Sequence, residues 1–381
     1  MTATQPQIPL RVALLSSGLG YTVRGIESWM ADLADHLPED VDAELWPGGP
    51  LQHAHRRVRR CVSIDRNSRL LSPLCWNRRY HLEQLSQIPS ILWNVRKFQP
   101  HILYSGDPGL CHLLHKLRRW HRTRIVFMNG MRLTPRWIQC FDGIHLLAQG
   151  YLDEAEAFLG ATNSAHFFAV PHFTDVSLFR PATPDERIAA RARLNLPSGA
   201  LTVLTVGPVG TTSKKRLDHL AREVAQANDS AILLHVGSDE DGASEVRSAV
   251  NDALADRIRW LGRVPRSTLR DITAAADLYS LGSLGEPFSI AILEALASGL
   301  PVVHHNDPVM SWQCGNGGIP VSMSDVGSAA AAFRQLANNN DRRDALSRAA
   351  RQLALNRYSP EPVCSALVAH LQRIAANPPR S

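Results

Sequence analysis

Two carboxylates, a run of cations and a helix mouth are the parts of this chain whose types and spacing could do chemistry. Glu286 and Glu294 stand eight residues apart in the stretch from Ser280 to His304, Ser-Leu-Gly-Ser-Leu-Gly-Glu-Pro-Phe-Ser-Ile-Ala-Ile-Leu-Glu-Ala-Leu-Ala-Ser-Gly-Leu-Pro-Val-Val-His. The stretch predicts loop, helix, stop and strand. Pro287 suits a first helical position, where its missing N–H is not needed. Gly299 suits a left-handed stop, and Pro301 blocks continuation. The N–H groups of Phe288, Ser289 and Ile290 would then point out of the helix mouth, where an anion can rest. At roughly 100° per residue, the interval returns the Glu294 carboxylate to the side of Glu286.

Glu294 lies among Ile290, Ile292, Leu293, Ala295, Leu296 and Ala297, so its helix is apolar nearly all round and is expected to be buried. A buried carboxylate without partners costs several kcal/mol. Either a salt bridge to a neighbouring helix or the hydroxyls of a ligand would satisfy it. The cations follow a predicted strand at 201–207, in the loop Pro208-Val-Gly-Thr-Thr-Ser-Lys-Lys-Arg216. Lys215 and Arg216 at a helix N-terminus oppose the helix dipole. An anion between them removes that conflict; a solvated charge pair is the alternative.

Strands and helices must alternate to place these groups. In the first half, strands are expected at 10–15, 41–46, 100–105, 125–130 and 143–148. Helices follow from Ile26, in 74–98 with a break at Pro89, and from Asp107 to Arg119. In the second half, strands are expected at 201–207, 231–237, 276–281 and 301–305, with helices between and after them to Ile374. A strand, a Gly-rich loop, a helix and a strand form a right-handed parallel crossover, so the helix mouth opens at the carboxyl end of a parallel sheet. Residues 176–198 carry Pro181, Pro184 and Pro197 and are expected to be a linker. Gly18-x-Gly20 is followed by Gly25, outside the dinucleotide spacing, which disfavours a nicotinamide-binding domain.

A chain of 381 residues, 44% hydrophobic, can bury ample core and is expected to form two domains. It has no apolar run of membrane-spanning length, and Leu10–Leu15 with Arg11 reads as a strand, not a signal peptide. Six cysteines (61, 75, 111, 140, 314 and 364) without a Cys-x-x-Cys pair suggest reduced thiols in the cytoplasm. The net charge of +6 hides an asymmetry: residues 53–136 hold 17 Lys or Arg against Asp65, Glu83 and Asp107, so that segment is +14 and the remainder −8. There is no nucleic-acid signature. An anionic membrane surface or a phosphorylated acceptor fits the segment, as does a solvated basic face. Leu110, Leu113, Leu114, Leu117 and Trp120 stripe one helix there, either as core or at a lipid surface. His112 and His115 lack a carboxylate partner for a metal, and Asp239-Glu-Asp241 reads as a solvated loop.

Glu286 and Glu294 with Ala295-Leu-Ala-Ser-Gly-Leu-Pro-Val-Val303 resemble the retaining glycosyltransferases of family 4, the group-1 glycosyltransferases. The resemblance implies an α/β protein of the GT-B class, with two doubly wound Rossmann-like domains facing a cleft. Residues 1–180 would be the acceptor side and 181–358 the nucleotide-sugar side, with 359–381 a helix returning to the first domain. Phe168–Asp175 and Phe179-Arg-Pro181 resemble the family's interdomain crossing. The implied reaction moves a hexose-type sugar from a nucleotide-diphosphate sugar to a hydroxyl acceptor (a glycan, a lipid-linked or a small molecule), in glycan, glycolipid or other cell-envelope synthesis. The implied enzyme needs no metal and no permanently bound cofactor. It would be cytoplasmic, with possible peripheral contact at the inner face of the membrane.

By the same resemblance, Glu286 meets the donor sugar and Glu294 the ribose. Lys215, Arg216 and the helix mouth at Phe288, Ser289 and Ile290 hold the diphosphate. Arg263 and Val264, in Ile258-Arg-Trp-Leu-Gly-Arg-Val264, lie in the strand and turn whose backbone meets the base. Arg24 and Gly25 stand in the first phosphate-facing loop, with Arg24 replacing a glycine, and Pro208 replaces an arginine of the family. Asn129 takes the place of a histidine that contacts the transferring sugar. An amide can bond a hydroxyl but cannot titrate, which suits a front-face mechanism in which the departing phosphate accepts the acceptor's proton. These three departures leave open a non-catalytic nucleotide-sugar-binding scaffold, or an epimerase on the same fold.

Overall fold

A computed structural model describes residues 9–380 apart from 23–24, 52–54, 56 and 132–135. The chain divides into two compact units, residues 1–172 with 361–381, and residues 173–360.

In the first unit the strands are β1 (Leu10–Ser16), β2 (Val41–Pro47), β3 (Ile102–Ser105), β4 (Arg124–Asn129), β5 (Gly143–Leu146) and β6 (Phe167–Ala169). They form one sheet in the order β2-β1-β3-β4-β5-β6, every pair parallel. Its helices are α1 (Gly25–His36), α2 (Trp76–Phe98), α3 (Pro108–Lys116), α4 (Arg118–His121), α5 (Gln149–Leu159) and α6 (Ala161–Ser164). The strands are buried on both faces, as expected of a parallel sheet covered by helices.

The second unit carries the strands β7 (Thr202–Val206), β8 (Ile232–Val236), β9 (Ile258–Trp260), β10 (Leu278–Ser280), β11 (Val302–His305) and β12 (Gly318–Val321). Its helices are α7 (Pro184–Arg193), α8 (Leu217–Ala227), α9 (Ala243–Leu254), α10 (Arg266–Ala275), α11 (Ile290–Ala297), α12 (Pro308–Cys314), α13 (Ser328–Ala337) and α14 (Asn340–Arg357). The sheet order is β12-β11-β10-β7-β8-β9, again all parallel. From β7 the chain builds outward to β8 and β9, then returns to β10 on the other side. The crevice at the carboxyl ends of β7 and β10 is therefore this sheet's topological switch point.

The last helix, α15 (Pro360–Ala376), packs with the first unit from Glu361 onward. His370 stacks on Phe168 with ring centroids 4.3 Å apart. A Cβ at Gly143 would lie 2.4 Å from Ile374, so only a glycine in β5 admits that helix so closely.

Several elements differ from expectation for identifiable reasons. Pro89 does not break α2, which runs through it as one helix. Pro89 and Leu85 are both exposed, so the carbonyl that loses its partner can meet water. The stretch taken as a linker holds α7, because Thr183 and Glu186 form a capping box and Pro184 sits at the first helical position. The units part between His172 and Phe173; Phe179 is wholly buried in the second unit's core. Trp120 leaves its apolar stripe and is 57% exposed. The strands β6 and β12 had no expectation.

Candidate active site

The loop after β7 is pinned before it reaches its cations. Gly207 N donates to the Val236 carbonyl at 2.9 Å, Val209 N to Ser238 at 2.9 Å, and Ser213 Oγ to the Pro208 carbonyl at 2.9 Å. The Gly207 carbonyl accepts from His235 Nε2 at 2.9 Å. Burial pushes the His235 pKa down to about 4, against the pull of that carbonyl, so the ring is neutral and its Nε2–H is the donor. Lys215 then turns back across the strand end. Its stem lies over Gly207, where a Cβ would be 2.8 Å from Lys215 Cγ and Cε.

The ammonium ends on the other loop of the switch point, with Lys215 Nζ 2.8 Å from Glu286 Oε2. The two side chains are 20% and 14% exposed, so the pair is sheltered but reachable. Two groups that the sequence nominated separately thus meet directly. Arg216 goes elsewhere: in a left-handed conformation (φ 47°) it sends Nη1 to the Met323 carbonyl at 2.8 Å and the Gly282 carbonyl at 3.3 Å. It ties the two loops and β12's exit together, while Lys215 faces the carboxylate.

Helix α11 begins later than expected, at Ile290 and not Pro287. Ser289 caps it, its Oγ accepting from Ile292 N at 3.4 Å. Gln313 holds Ser289 from both sides, donating to its carbonyl at 2.7 Å and accepting from its N–H at 3.4 Å. The helix mouth is therefore formed by Ile290 and Ala291, whose N–H groups have no carbonyl one turn back. Because Glu286 lies in the loop, the helical register that was to bring it beside Glu294 does not apply. Phe288 packs, half-buried, against the core beside Tyr358.

Glu294 is 6% exposed. Its Oε1 lies 3.2 Å from Arg266 Nε, at the start of α10, and the Arg266 guanidinium lies over the Phe179 ring at 5.6 Å. The second sheet also carries a buried polar group that the sequence did not nominate. Tyr279 in β10 is wholly buried, and its hydroxyl has no hydrogen-bond partner. Burial, then the charges of Glu286 and Glu294, push its pKa well above the usual phenol value; the Val206 carbonyl and the Ser289 hydroxyl oppose this. An orphaned buried hydroxyl costs about 1–3 kcal/mol. Ser283, also buried, has a partnerless hydroxyl as well.

The remaining nominated residues lie farther off or in the other unit. Arg263 is exposed in the turn after β9, and Val264 packs half-buried on the core. Asn129 ends β4, 1% exposed, with Oδ1 accepting from Met131 N at 3.1 Å. Gly25 is exposed at the start of α1; Arg24 lies outside the described residues.

The first unit also holds an ionic cluster that had no sequence signal. Arg66 and Glu83, 2% and 0% exposed, pair at the carboxyl end of β1, with Nε 2.7 Å from Oε2. Ser17 Oγ donates to Glu83 at 2.9 Å, and Asp107 accepts from Ser17 N at 2.8 Å and Tyr80 at 2.7 Å. Among the described residues no group of three His, Cys, Asp or Glu is arranged to hold a metal, and no helix is long and apolar enough to cross a membrane.

Comparison with known proteins agrees with the second unit in particular. Residues 200–339 match the family described as Glycosyl transferases group 1. Among curated proteins, the lipopolysaccharide core biosynthesis glycosyltransferase LpsE of Rhizobium meliloti is 27% identical over 190 residues, 49% of this chain and 54% of that protein. The D-inositol 3-phosphate glycosyltransferase of Mycolicibacterium smegmatis is 32% identical over 152 residues, 39% of this chain and 32% of that one. The chain thus spans about half the length of the first relative and about a third of the second. Among solved structures, sucrose-phosphate synthase from Thermosynechococcus elongatus superposes with a TM-score of 0.78 at 18% identity, over 96% of this chain and 99% of that one. HepE of Anabaena, in complex with UDP and glucose, gives 0.76 at 16% identity, over 96% and 100%. Two parallel six-stranded sheets with flanking helices are the GT-B architecture of these neighbours.

Proposed function

We propose that this chain, whose residues 200–339 match the family described as Glycosyl transferases group 1, is a retaining enzyme that moves a hexose-type sugar from a nucleotide-diphosphate sugar to an acceptor hydroxyl. The observation that carries this reading is the Lys215–Glu286 pair, set at the switch point of the second sheet beside the mouth of α11. The donor diphosphate rests on the N–H groups of Ile290 and Ala291, where the helix dipole favours negative charge. Lys215 leaves Glu286 for the phosphate oxygens and neutralises the charge that grows there as the sugar departs. Since Lys215 supplies that positive charge, the reading needs no metal. Glu286, released, accepts from a sugar hydroxyl, and Glu294 takes the ribose hydroxyls.

In the transfer step the bond between the anomeric carbon and the phosphate oxygen breaks, with its electron pair going to the phosphate. The acceptor oxygen bonds to the same face of the anomeric carbon, and its proton passes to the departing phosphate. No side chain is then required as a base, which accords with an amide at Asn129.

The acceptor is proposed to be phosphorylated or lipid-linked, met at the inner face of a membrane. The support is that the acids of the basic 53–136 segment turn inward. Glu83 and Asp107 are buried and Asp65 is half-buried. The exposed face of α2 instead presents Arg78, Leu85, Trp93, Arg96 and Lys97.

The test is incubation with a panel of UDP- and GDP-sugars, measuring free nucleoside diphosphate and, by NMR, the anomer formed. Release with retention of configuration is expected. A binding scaffold would release none, and an epimerase would interconvert donors without an acceptor.

A further inference from the structure

We propose that the amino end of the second sheet carries a binding site for a phosphorylated sugar, in the cavity that Arg187, Arg191 and Arg343 line. The donor site lies at the carboxyl end of the same sheet, so either site can fail without the other.

The cavity has a volume of about 490 Å³. Helix α7, the entries to β7 and β10, and the facing ends of α13 and α14 form its walls. Among its described lining residues are three guanidiniums and a single carboxylate, Asp277. That carboxylate is already shared. Its Oδ1 lies 2.7 Å from Arg187 Nη2, while its Oδ2 lies 3.5 Å from Arg191 Nη1 and accepts from Thr202 N at 2.8 Å. Arg343 donates only to neutral groups among the described residues, to the Leu336 carbonyl at 2.8 Å and to Asn340 Oδ1 at 2.7 Å.

Covering carbonyls at strand and helix ends is a task that neutral amides also perform, without bringing like charges together. Arg191 feels that crowding: burial lowers its pKa, Asp277 opposes this, and the Arg187 charge adds to the lowering. An anion in the cavity offsets the repulsion. Planar guanidinium forks suit the paired oxygens of a phosphate, and Arg343 carries more N–H donors than its two bonds use. Beside it, Asn338 and Asn340 line the same cavity with exposed amides, which match hydroxyls and not a second charge. The volume is that of a small-molecule site and exceeds what one phosphate fills. The chemistry called for is therefore a phosphate carrying a hydroxylated body.

The experiment is titration calorimetry of the full chain with mannose 6-phosphate, mannose and inorganic phosphate, on the wild type, Lys215→Ala and Arg343→Gln. Mannose 6-phosphate is expected to bind the wild type and Lys215→Ala within about twofold of each other, and Arg343→Gln at least about tenfold more weakly. Arg343→Lys, which keeps the charge and loses the fork, should fall between. Inorganic phosphate should bind more weakly than the ester and compete with it, and mannose should give no heat. Asn338→Ala, a change at an exposed helix end, should weaken the ester several fold and leave phosphate unchanged, which tests the site even if Arg343→Gln does not fold. Binding that Lys215→Ala abolishes and Arg343→Gln leaves intact would put the anion at the donor loop and overturn the proposal. So would no binding to the wild type, or equal affinity for phosphate and the ester. A lower Tm in Arg343→Gln with unchanged affinity would mark the arginine as structural and overturn it too.

Discussion

Lys215 Nζ lies 2.8 Å from Glu286 Oε2, joining two loops whose contacting residues are 71 positions apart in the chain. The bond closes the switch point of the second sheet with one cation and one carboxylate, both within reach of solvent. Lys215→Ala and Glu286→Gln should each lower turnover about a hundredfold, and the double variant should lose much less than the product of the two. Because such a partly exposed pair contributes only ~1 kcal/mol to stability, Tm should barely move. Near wild-type turnover in both single variants would contradict the site.

Gly207 carries the stem of Lys215 across the strand end at φ 157°. Gly207→Ala places a methyl group against that stem and adds backbone strain of about 1 kcal/mol. Turnover should fall at least about tenfold through displacement of Lys215. Combined with Lys215→Ala, it should add little further loss. Additive losses would show that Gly207 acts on something other than Lys215.

Glu294 has a protein partner in Arg266 and is proposed to have a ligand partner in the ribose. Glu294→Ala should weaken UDP or GDP binding about ten- to a hundredfold, the range for a hydrogen bond to a charged group. Arg266→Ala should leave the affinity within a few fold, since the carboxylate remains for the ligand. Titration calorimetry separates the cases; equal losses in both variants would make Glu294 a structural salt bridge.

Stability should fall on mild acidification in both units. Burial pushes the pKa of His145 in the first unit and of His235 in the second down to about 4, whereas an unfolded histidine titrates near ~6.5. Between those values the unfolded chain binds protons that the folded one refuses. The stabilisation is therefore complete above pH ~6.5 and is lost as pH falls toward ~4. Fully buried His145 alone should account for roughly 3 kcal/mol at the acid end. A Tm that holds from about pH 7.5 to about pH 5, across the free histidine pKa, would refute this.

On the first unit, the exposed face of α2 should bind vesicles of phosphatidylglycerol and not of phosphatidylcholine, and salt should release it. Replacing Arg96 and Lys97 with Gln should weaken flotation by about 1 kcal/mol per charge, roughly five- to thirtyfold together. Trp93→Ser should weaken it without changing the salt dependence. Equal binding to both lipids would leave the basic segment as a solvated face.

The parallel sheets were legible because their strands are unbroken apolar runs separated by helical patterns; β1, β7 and β8 fall within a residue or two of expectation. Two strands escaped for lack of length or pattern: β6 has three residues, and β12 contains a proline. Residue types flagged Lys215, Glu286 and Glu294 one by one. Nothing local could couple Glu294 to Arg266, 28 residues earlier, or send Arg216 to the Met323 carbonyl. Tyr279 lies inside the expected strand at 276–281 with nothing to single it out, because a missing hydrogen-bond partner is a property of the surroundings.

By itself the amino-acid order determined which side chains could bear charge at a strand end and roughly where most helices would lie, α7 and the passage of α2 through Pro89 excepted. It also set two alternating α/β halves, since periodicity and capping are properties of neighbours along the chain. Only the tertiary structure decided that the β7 and β10 loops would be adjacent, that Lys215 and not Arg216 would meet Glu286, and that α11 would open at Ile290. Those outcomes depend on sheet order and on contacts such as Gln313 with Ser289, between residues that no local pattern relates.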